Sequence, residues 1–262
     1  MNFAIIGAGL FGLSVAIKIK EKYPNSKVTL FEKEKDILMG ASGKNQFRCH
    51  LGYHYPRSEK TIHECKKSFE EFNKYFSGCY LKSENYYAIS SNNSLTNFET
   101  YKKVLKKNKL NFKVCDHDLL KKKNIEGTIR VEERLININL IKNRLEKIIK
   151  RNGVQIQFNK NIKIEEKFIK KYDKVFLCTY DNNNNNLKKI STKKRDYYYQ
   201  LVEKIITKTP REFNNKSFVI LDGPFMCIDP YYKYNLSILG SVKESVINFK
   251  NSKYHNFERK FK

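Results

Sequence analysis

The chain begins with a run of apolar residues, Phe3 to Ile6, followed by a glycine-rich turn and then by apolar residues at helical spacing. This order predicts a buried strand, a tight turn and a helix that carries Leu13, Ala16 and Ile17 on its inner face. A second apolar run, Lys27 to Phe31, predicts the next strand. The first segment of the chain therefore predicts the start of an α/β unit.

The central part of the chain alternates between helical and extended patterns. Helices are predicted at Ser58–Tyr75, Asn97–Lys107 and Asn139–Ile149, and strands at Tyr86–Ser90, Gly127–Val131, Val154–Phe158 and Tyr172–Tyr180. In the third of these helices we expect Leu140, Leu145 and Ile148 to point inward. The asparagine run from Asn182 to Asn186 is interpreted as a solvated loop, because a polar low-complexity segment has little to bury.

The last part of the chain changes to a β pattern. Strands are predicted at Tyr197–Thr209, Ser217–Asp222, Phe225–Asp229 and Asn235–Val242, and we interpret them as one antiparallel sheet. Turns between them are predicted at Asp222-Gly223-Pro224 and at Asp229-Pro230, because these residue pairs favour turn geometry. The sequence therefore predicts an α/β unit that is interleaved with an antiparallel sheet.

Composition narrows the possible partners. The 262 residues carry a formal net charge of +25, but the lysines are scattered and no recognised nucleic-acid motif is present, so we expect no nucleic-acid partner. An anionic small-molecule substrate fits the charge. Six widely spaced cysteines without a Cys-x-x-Cys pair favour a reduced, cytoplasmic protein over a zinc site or a disulfide framework. The N-terminal apolar run is broken by three glycines, so no membrane span is expected, and the oligomeric state stays open.

The glycine turn has the spacing of a dinucleotide-binding site. Gly7 permits the tight turn, Gly9 lets a pyrophosphate approach the backbone, and Gly12 allows the helix to pack closely on the strand. The helix N-terminus offers backbone N–H groups and a positive dipole end to the phosphates. Glu32 closes the second strand, where its carboxylate would accept ribose hydroxyls. The order of strand, turn, helix, strand and acidic residue is what makes this motif specific.

The layout resembles the D-amino-acid-oxidase-like (DAO) superfamily of FAD-dependent oxidoreductases. The resemblance rests on the glycine motif with Glu32 and on Gly40 to Asn45, which looks like the loop that runs along the FAD pyrophosphate and ribityl chain. It implies a Rossmann-like FAD-binding domain (1–78 and 136–190) with an interleaved antiparallel β-sheet substrate domain (79–135 and 191–250). It also implies a set of FAD-binding residues: Gly7, Ala8, Gly9, Phe11, Gly12, Glu32, Lys33, Ser42, Gly43 and Asn45.

Two features depart from this superfamily. Cys178-Thr179-Tyr180 stands where the family usually has a small Ala-Gly ending beside the cofactor. Members also return to the cofactor domain near their C-terminus with a last strand and a glycine-led helix, whereas this sequence ends at Lys262 after a lysine-rich stretch. We therefore expect the chain to be a fragment of a longer reading frame, with 251–262 as a basic tail or a truncated continuation.

In this class the flavin accepts a hydride from a carbon that bears an amine or a hydroxyl, and the protein positions that carbon. His50 and His54 are candidate bases near neutral pH. Arg57 or Arg48 is a candidate bidentate clamp for a carboxylate. Tyr53, Tyr55 or a tyrosine of the Tyr197–Tyr199 triplet is a candidate hydrogen-bond donor.

Three functional hypotheses remain open at this point. The first is an FAD-dependent oxidoreductase that oxidises a C–H bond next to an amine or hydroxyl. The second is a nicotinamide-dependent dehydrogenase, although the long insertion between Phe31 and Val154 is unusual for a compact nicotinamide fold. The third is a non-catalytic dinucleotide-binding fragment of a longer flavoenzyme.

Overall fold

The computed structural model describes residues 1–190, 195–223, 225–233, 235–254 and 257. The chain divides into two compact units. The first comprises Met1–Asn45, Lys142–Val202 and Ile247–Lys262, and the second comprises Gln46–Ile141 and Glu203–Val246. Residues 46–78, predicted to belong to the cofactor domain, are therefore part of the second unit. None of the helices within the described ranges is both long and apolar enough to cross a bilayer.

Helices and strands alternate along most of the described chain. The strands are β1 (Asn2–Ile6), β2 (Lys27–Phe31), β3 (Arg48–Cys49), β4 (Glu84–Ser90), β5 (Phe112–Val114), β6 (Ile125–Val131), β7 (Arg134–Leu135), β8 (Gln155–Gln157), β9 (Lys174–Leu177), β10 (Tyr197–Val202), β11 (Ile205–Lys208), β12 (Lys216–Leu221), β13 (Met226–Pro230), β14 (Leu236–Ser241) and β15 (Val246–Ser252). The helices are α1 (Leu10–Lys22), α2 (Glu59–Phe76), α3 (Phe98–Lys107), α4 (Ile138–Arg151), α5 (Glu166–Ile169) and α6 (Asn183–Asn186).

The first unit is built on a parallel sheet with the strand order β8-β2-β1-β9. The central strand β1 pairs with β2 and β9, and four of its five residues are buried. Helix α1 follows directly after the glycine turn and buries Leu13, Ala16 and Ile17, as the sequence pattern predicts. Lys20 and Lys22 in its last turn complement the negative end of the helix dipole.

The second unit is built on a seven-stranded sheet with the order β11-β14-β13-β12-β4-β6-β5. Its neighbouring strands are antiparallel except for β12 and β4, which run parallel. One face carries a core that includes Tyr53, Tyr87, Ile129 and Val219. Helix α3 packs on β6 so closely that a Cβ at Gly127 would lie 2.4 Å from ring atoms of Phe98.

Several local predictions are wrong in this structure. The asparagine run is helical rather than a solvated loop, and Asn184 is buried because its side chain donates to the carbonyl groups of Arg195 and Lys253. Leu140 is exposed, since α4 begins at Ile138 and its inner stripe runs through Ile138, Ile141, Leu145 and Ile149. Tertiary hydrogen bonds and a shift in the helix start therefore override the local pattern.

The β region also differs from its prediction. Tyr197–Thr209 is not one strand, because β10 pairs with β15 in a separate two-stranded sheet while β11 pairs with β14. Strand β15 was not predicted. Asp229-Pro230 is the end of β13 rather than a turn. Pro224 of the other predicted turn and most of the 251–262 segment (255, 256 and 258–262) lie outside the described residues.

Candidate functional site

The glycine turn of the first unit has no room for side chains at two of its positions. Gly7 has φ +105°, and a Cβ there would lie 2.5 Å from the carbonyl oxygen of Cys178. A Cβ at Gly12 would lie 1.8 Å from the carbonyl oxygen of Gly7. Both distances are far inside van der Waals contact, so the turn requires glycine for the reasons that the motif implies.

The loop after Glu32 folds against the N-terminus of α1. Gly9 caps this helix without a side chain, and Ser42 Oγ accepts the N–H of Leu10 at 3.0 Å. Asn45 Nδ2 donates to the carbonyl groups of Ala41 and Ser42, each at 3.1 Å, and so closes the loop. Because the first N–H groups of a helix have no intrahelical acceptor, those that follow Leu10, beside a cap residue without a side chain, fit a pyrophosphate.

Glu32 lies at the carboxyl end of β2 and is buried. Its Oε2 accepts the N–H of Ala8 at 2.6 Å, and its Oε1 accepts the N–H of Glu34 at 3.0 Å. Each carboxylate oxygen has a further lone pair, so these bonds orient the carboxylate and still allow it to accept ribose hydroxyls. Phe11 is 78% exposed and Lys33 is also exposed, so both side chains are accessible to a ligand.

The second unit contains a buried charge cluster around Arg48 of β3. The Arg48 guanidinium, 3% exposed, forms a two-point ion pair with Asp229 of β13 and donates to Ser217 Oγ at 2.6 Å. On its other side it pairs with Glu133 at 3.3 Å. Burial alone would lower the pKa of Arg48, but Asp229, Tyr87 and Glu133 outweigh it and raise the pKa, so the side chain stays charged.

Glu133 joins this cluster to His50. Its Oε1 accepts a hydrogen bond from Tyr87 Oη at 2.5 Å and lies 3.2 Å from Nδ1 of His50, although that contact lacks hydrogen-bond alignment. Its Oε2 accepts the N–H of Leu51 at 3.1 Å. Burial would raise the pKa of Glu133, but His50, Arg48 and Tyr87 lower it to about 2. Glu133 is therefore a charged, buried group in close contact with the His50 ring.

Three rings form a compact group at this end of the cluster. The ring centroids of His50 and His54 are 5.4 Å apart, and Tyr55 lies 5.5 Å from His50 and 5.4 Å from His54. Nδ1 of His54 is buried without a hydrogen-bond partner among the described residues. Burial, and then the nearby His50 and Arg48, lower the pKa of His54 to about 4. His54 is therefore neutral near pH 7.

A family model described as FAD dependent oxidoreductase (DAO) matches residues 2–209 of the chain. The chain belongs to this family. The match confirms the predicted family, and FAD as the cofactor, and favours FAD over the nicotinamide alternative. It covers the glycine turn, Glu32 and the Ser42 loop, whose geometry fits this cofactor.

Individual relatives support the family assignment. FAD-dependent monooxygenase FPY4 of Fusarium mangiferae is 30% identical over 136 residues, which are 52% of this chain and 36% of that protein. L-2-hydroxyglutarate dehydrogenase of Indibacter alkaliphilus is 36% identical over 67 residues, which are 26% of this chain and 17% of that protein. The matches thus span about a third or less of these curated relatives. Glycine oxidase from Geobacillus kaustophilus has a TM-score of 0.66 at 12% identity, with 98% of this chain and 74% of that chain covered, which confirms the fold class.

The structure brings some of the predicted chemical residues together and separates others. His50 and His54 contact each other. Arg57 pairs with Asp222 at 2.7 Å, with its own side chain 61% exposed. Tyr53 is buried in the core of the second unit, where its hydroxyl donates to the carbonyl of Asn111 at 2.6 Å. The catalytic roles of His50, His54 and Arg57 stay predictions.

Sequence reasoning missed Glu133 and Tyr87, and it assigned Asp229 to a turn. The sequence does contain a signal for the burial of Asp229. Cys227 and Asp229 are two residues apart in β13, so both side chains lie on the face of the strand that is directed towards the core. An acidic residue in phase with buried positions of a strand predicts a buried partner, here Arg48.

The low pKa of His54 predicts a loss of stability in mild acid. In the unfolded chain, His54 binds a proton below its ordinary pKa of 6.5. In the folded chain, it binds that proton only below about pH 4. The free energy of unfolding should therefore fall between these values, by on the order of 2 kcal/mol at about pH 5. Urea unfolding of wild type and His54→Gln at about pH 7.5 and about pH 5 measures this effect.

Glu133 provides the internal control for that experiment. The pKa of Glu133 in the folded chain is about 2, so its contribution to the free energy of unfolding is fully present above its ordinary pKa of 4.5. This contribution is therefore lost at a lower pH than the contribution of His54. We expect His54→Gln to lose less stability than wild type between the two measured pH values. An equal loss in both proteins would contradict the assignment of this pH dependence to His54.

Proposed function

We propose that the chain, with bound FAD, removes a hydride from a carbon bearing a hydroxyl or an amine. The observation that carries the proposal is the glycine turn with Glu32 and the Ser42 loop, inside a family match that covers residues 2–209. L-2-hydroxyglutarate dehydrogenase and glycine oxidase are named for a hydroxy acid and an amino acid, and these names support the reaction class.

Specific residues of the first unit would hold the cofactor. Gly7, Ala8, Gly9, Phe11 and Gly12 would surround the pyrophosphate at the start of α1. Glu32 and Lys33 would contact the ribose, while Ser42, Gly43 and Asn45 would line the path of the ribityl chain. Bound FAD supplies the hydride acceptor.

His50 is the residue that we propose to move the substrate proton. Nδ1 lies 3.2 Å from the Glu133 carboxylate, which favours a proton on Nδ1 and would leave the lone pair of Nε2 to accept a proton from a hydroxyl or amine. Glu133 then stabilises the protonated ring, because a buried carboxylate 3.2 Å away is an effective counter-charge. Neutral His54 beside it adds no competing positive charge near pH 7.

A second candidate function is monooxygenation. It is favoured by the match to FPY4, which extends over 136 residues of this chain. Anaerobic turnover with an artificial electron acceptor separates the two reactions, because hydride removal from an alcohol or amine needs no dioxygen whereas monooxygenation does. Turnover that requires dioxygen would support the second candidate.

The experiment that tests cofactor binding is the visible absorption spectrum of the purified chain. We expect a yellow protein that releases FAD on denaturation. A colourless protein that binds NADH would contradict the proposal. The six widely spaced cysteines, which include no Cys-x-x-Cys pair, support the further proposal of a reducing, cytoplasmic location.

Glu32→Ala is the sharpest variant for this experiment. We expect FAD affinity to fall by roughly ten- to a hundred-fold, because the ribose loses a charged acceptor. FAD titration followed by fluorescence quenching measures the affinity. Glu34→Ala is the matched control, since Glu34 contributes its backbone N–H to Glu32 and its side chain is partly exposed. Unchanged FAD affinity in Glu32→Ala would show that the ribose contact is wrongly assigned.

A further inference from the structure

A cavity of about 370 Å³ lies within the second unit beside His50. Helix α2 contributes Thr61, Glu64, Phe69 and Phe72 to its lining, and the segment around β3 contributes Arg48 and His50. Its volume lies within the range of about 300–1,000 Å³ that is typical of small-molecule sites. The lining combines an apolar, aromatic wall with a few polar groups, which is the usual composition of such sites.

Arg48, the cation in this lining, has no donor left for a ligand. Its five N–H groups are directed at five acceptors: two oxygens of Asp229, one oxygen of Glu133, Ser217 Oγ and Tyr87 Oη. A substrate carboxylate would have to displace a buried carboxylate from this cluster, at the cost of leaving that charge unpaired. Arg48 is therefore not the carboxylate clamp that its sequence position suggests.

Three carboxylates and two guanidinium groups, those of Arg48 and Arg134, leave a small excess of negative charge beside the cavity. Glu64 lines it, and Glu133 and Asp229 lie directly behind His50 and Arg48. Burial raises the pKa of the lining thiols, to about 11 for Cys49, so neither Cys49 nor Cys65 adds charge near neutral pH. Arg134 lies over the rings of Phe69 and Tyr80 on an exposed position beside the cavity.

The net charge of +25 does not reverse this local balance. Charges in water are screened over about 8 Å at physiological ionic strength, so distant exposed lysines act weakly inside the cavity. Buried charges at contact distance are screened much less. A carboxylate in the cavity would therefore meet net repulsion, whereas a hydroxyl or amine would meet hydrogen-bond acceptors.

We propose that this cavity binds an alcohol or amine that carries no carboxylate, with its apolar body against Phe69 and Phe72 and its polar group at His50. The inference rests on the proposed function and narrows its substrate class. The proposed substrate class differs from the hydroxy acid and the amino acid for which two of the relatives are named, because it lacks a carboxylate. The alternative is an anionic substrate, which the net charge of the chain suggests and which a comparison of two ligands with and without a carboxylate tests.

The test compares benzyl alcohol with mandelate, which differ by the carboxylate, on the full chain loaded with FAD. Calorimetric titration measures both affinities, and we expect benzyl alcohol to bind at least ten-fold more tightly. Phe72→Ala should weaken benzyl alcohol binding. Glu64→Gln should strengthen mandelate binding and leave benzyl alcohol unchanged, while Glu70→Gln at an exposed position of α2 is the control that changes neither.

Each remaining outcome overturns the inference. Mandelate binding as tightly as benzyl alcohol would establish a carboxylate site, and binding of neither probe would show that the cavity takes another class of ligand. Benzyl alcohol binding that Phe72→Ala leaves intact would place the probe elsewhere. The visible spectrum of the same samples reports FAD retention separately, so a failure of the proposed function is distinguishable from a failure of the cavity assignment.

Discussion

Arg48→Met is expected to lower the free energy of unfolding by about 3–5 kcal/mol. The substitution keeps an unbranched apolar stem but removes the cation that lies between the buried carboxylates of Asp229 and Glu133. An unpaired buried charge costs far more than a lost surface pair, and domains have only about 5–15 kcal/mol of stability in total. Urea unfolding near neutral pH, followed by circular dichroism, measures the loss.

Arg130→Met is the matched control for this substitution. Arg130 of β6 pairs with Glu84 at 2.9 Å, but both side chains are about half exposed, at 52% and 41%. Exposed pairs contribute about 0–1 kcal/mol, so the control should be nearly neutral. Adding Asp229→Asn and Glu133→Gln to Arg48→Met should restore part of the loss, because neutral amides cost less to bury than carboxylates. Equal losses for Arg48→Met and Arg130→Met would contradict the charge cluster.

The same cluster shows why the sequence predicts one half of the site better than the other. Gly7, Gly12 and Glu32 lie close together along the chain, and their requirements arise within one strand-turn-helix-strand unit. Their spacing alone therefore predicts the geometry. Arg48 and Asp229 are 181 residues apart, and their contact depends on the pairing of strands that local patterns do not specify.

Strand pairing also explains the errors in the predicted fold. An Asp-Pro pair in isolation predicts a turn. In the structure, β13 continues through Asp229, whose side chain forms a buried ion pair with Arg48. The parallel pairing of β12 with β4 joins residues such as Val219 and Tyr87, and no short-range pattern reports it. The predicted bounds of α2 and α3 agree closely with the structure, since helical periodicity is a local property: α2 is capped by Ser58, as predicted, and ends at Phe76, next to the predicted Tyr75.

Gly12→Ala is expected to abolish detectable FAD binding and to destabilise the first unit. The new Cβ would lie 1.8 Å from the carbonyl oxygen of Gly7, which is backbone and has no rotamer to change. Helix α1 would have to move away from β1, and overpacking of this kind typically costs about 1–3 kcal/mol or more. The same movement displaces the helix N-terminus from the turn that presents it to the pyrophosphate. FAD titration and urea unfolding of the apoprotein measure the two effects.

Gly40→Ala separates a steric effect at Gly12 from a general intolerance of alanine around the cofactor loop. A Cβ at Gly40 would meet nothing within 4 Å, and the residue immediately precedes the Ala41–Asn45 segment that closes against α1. We expect this control to retain FAD with near wild-type stability. If Gly12→Ala retained FAD as tightly as Gly40→Ala, close contact between α1 and β1 would not be what the cofactor requires. Loss of FAD in Gly12→Ala alone would assign the requirement to the helix-strand contact, because both variants add the same methyl group.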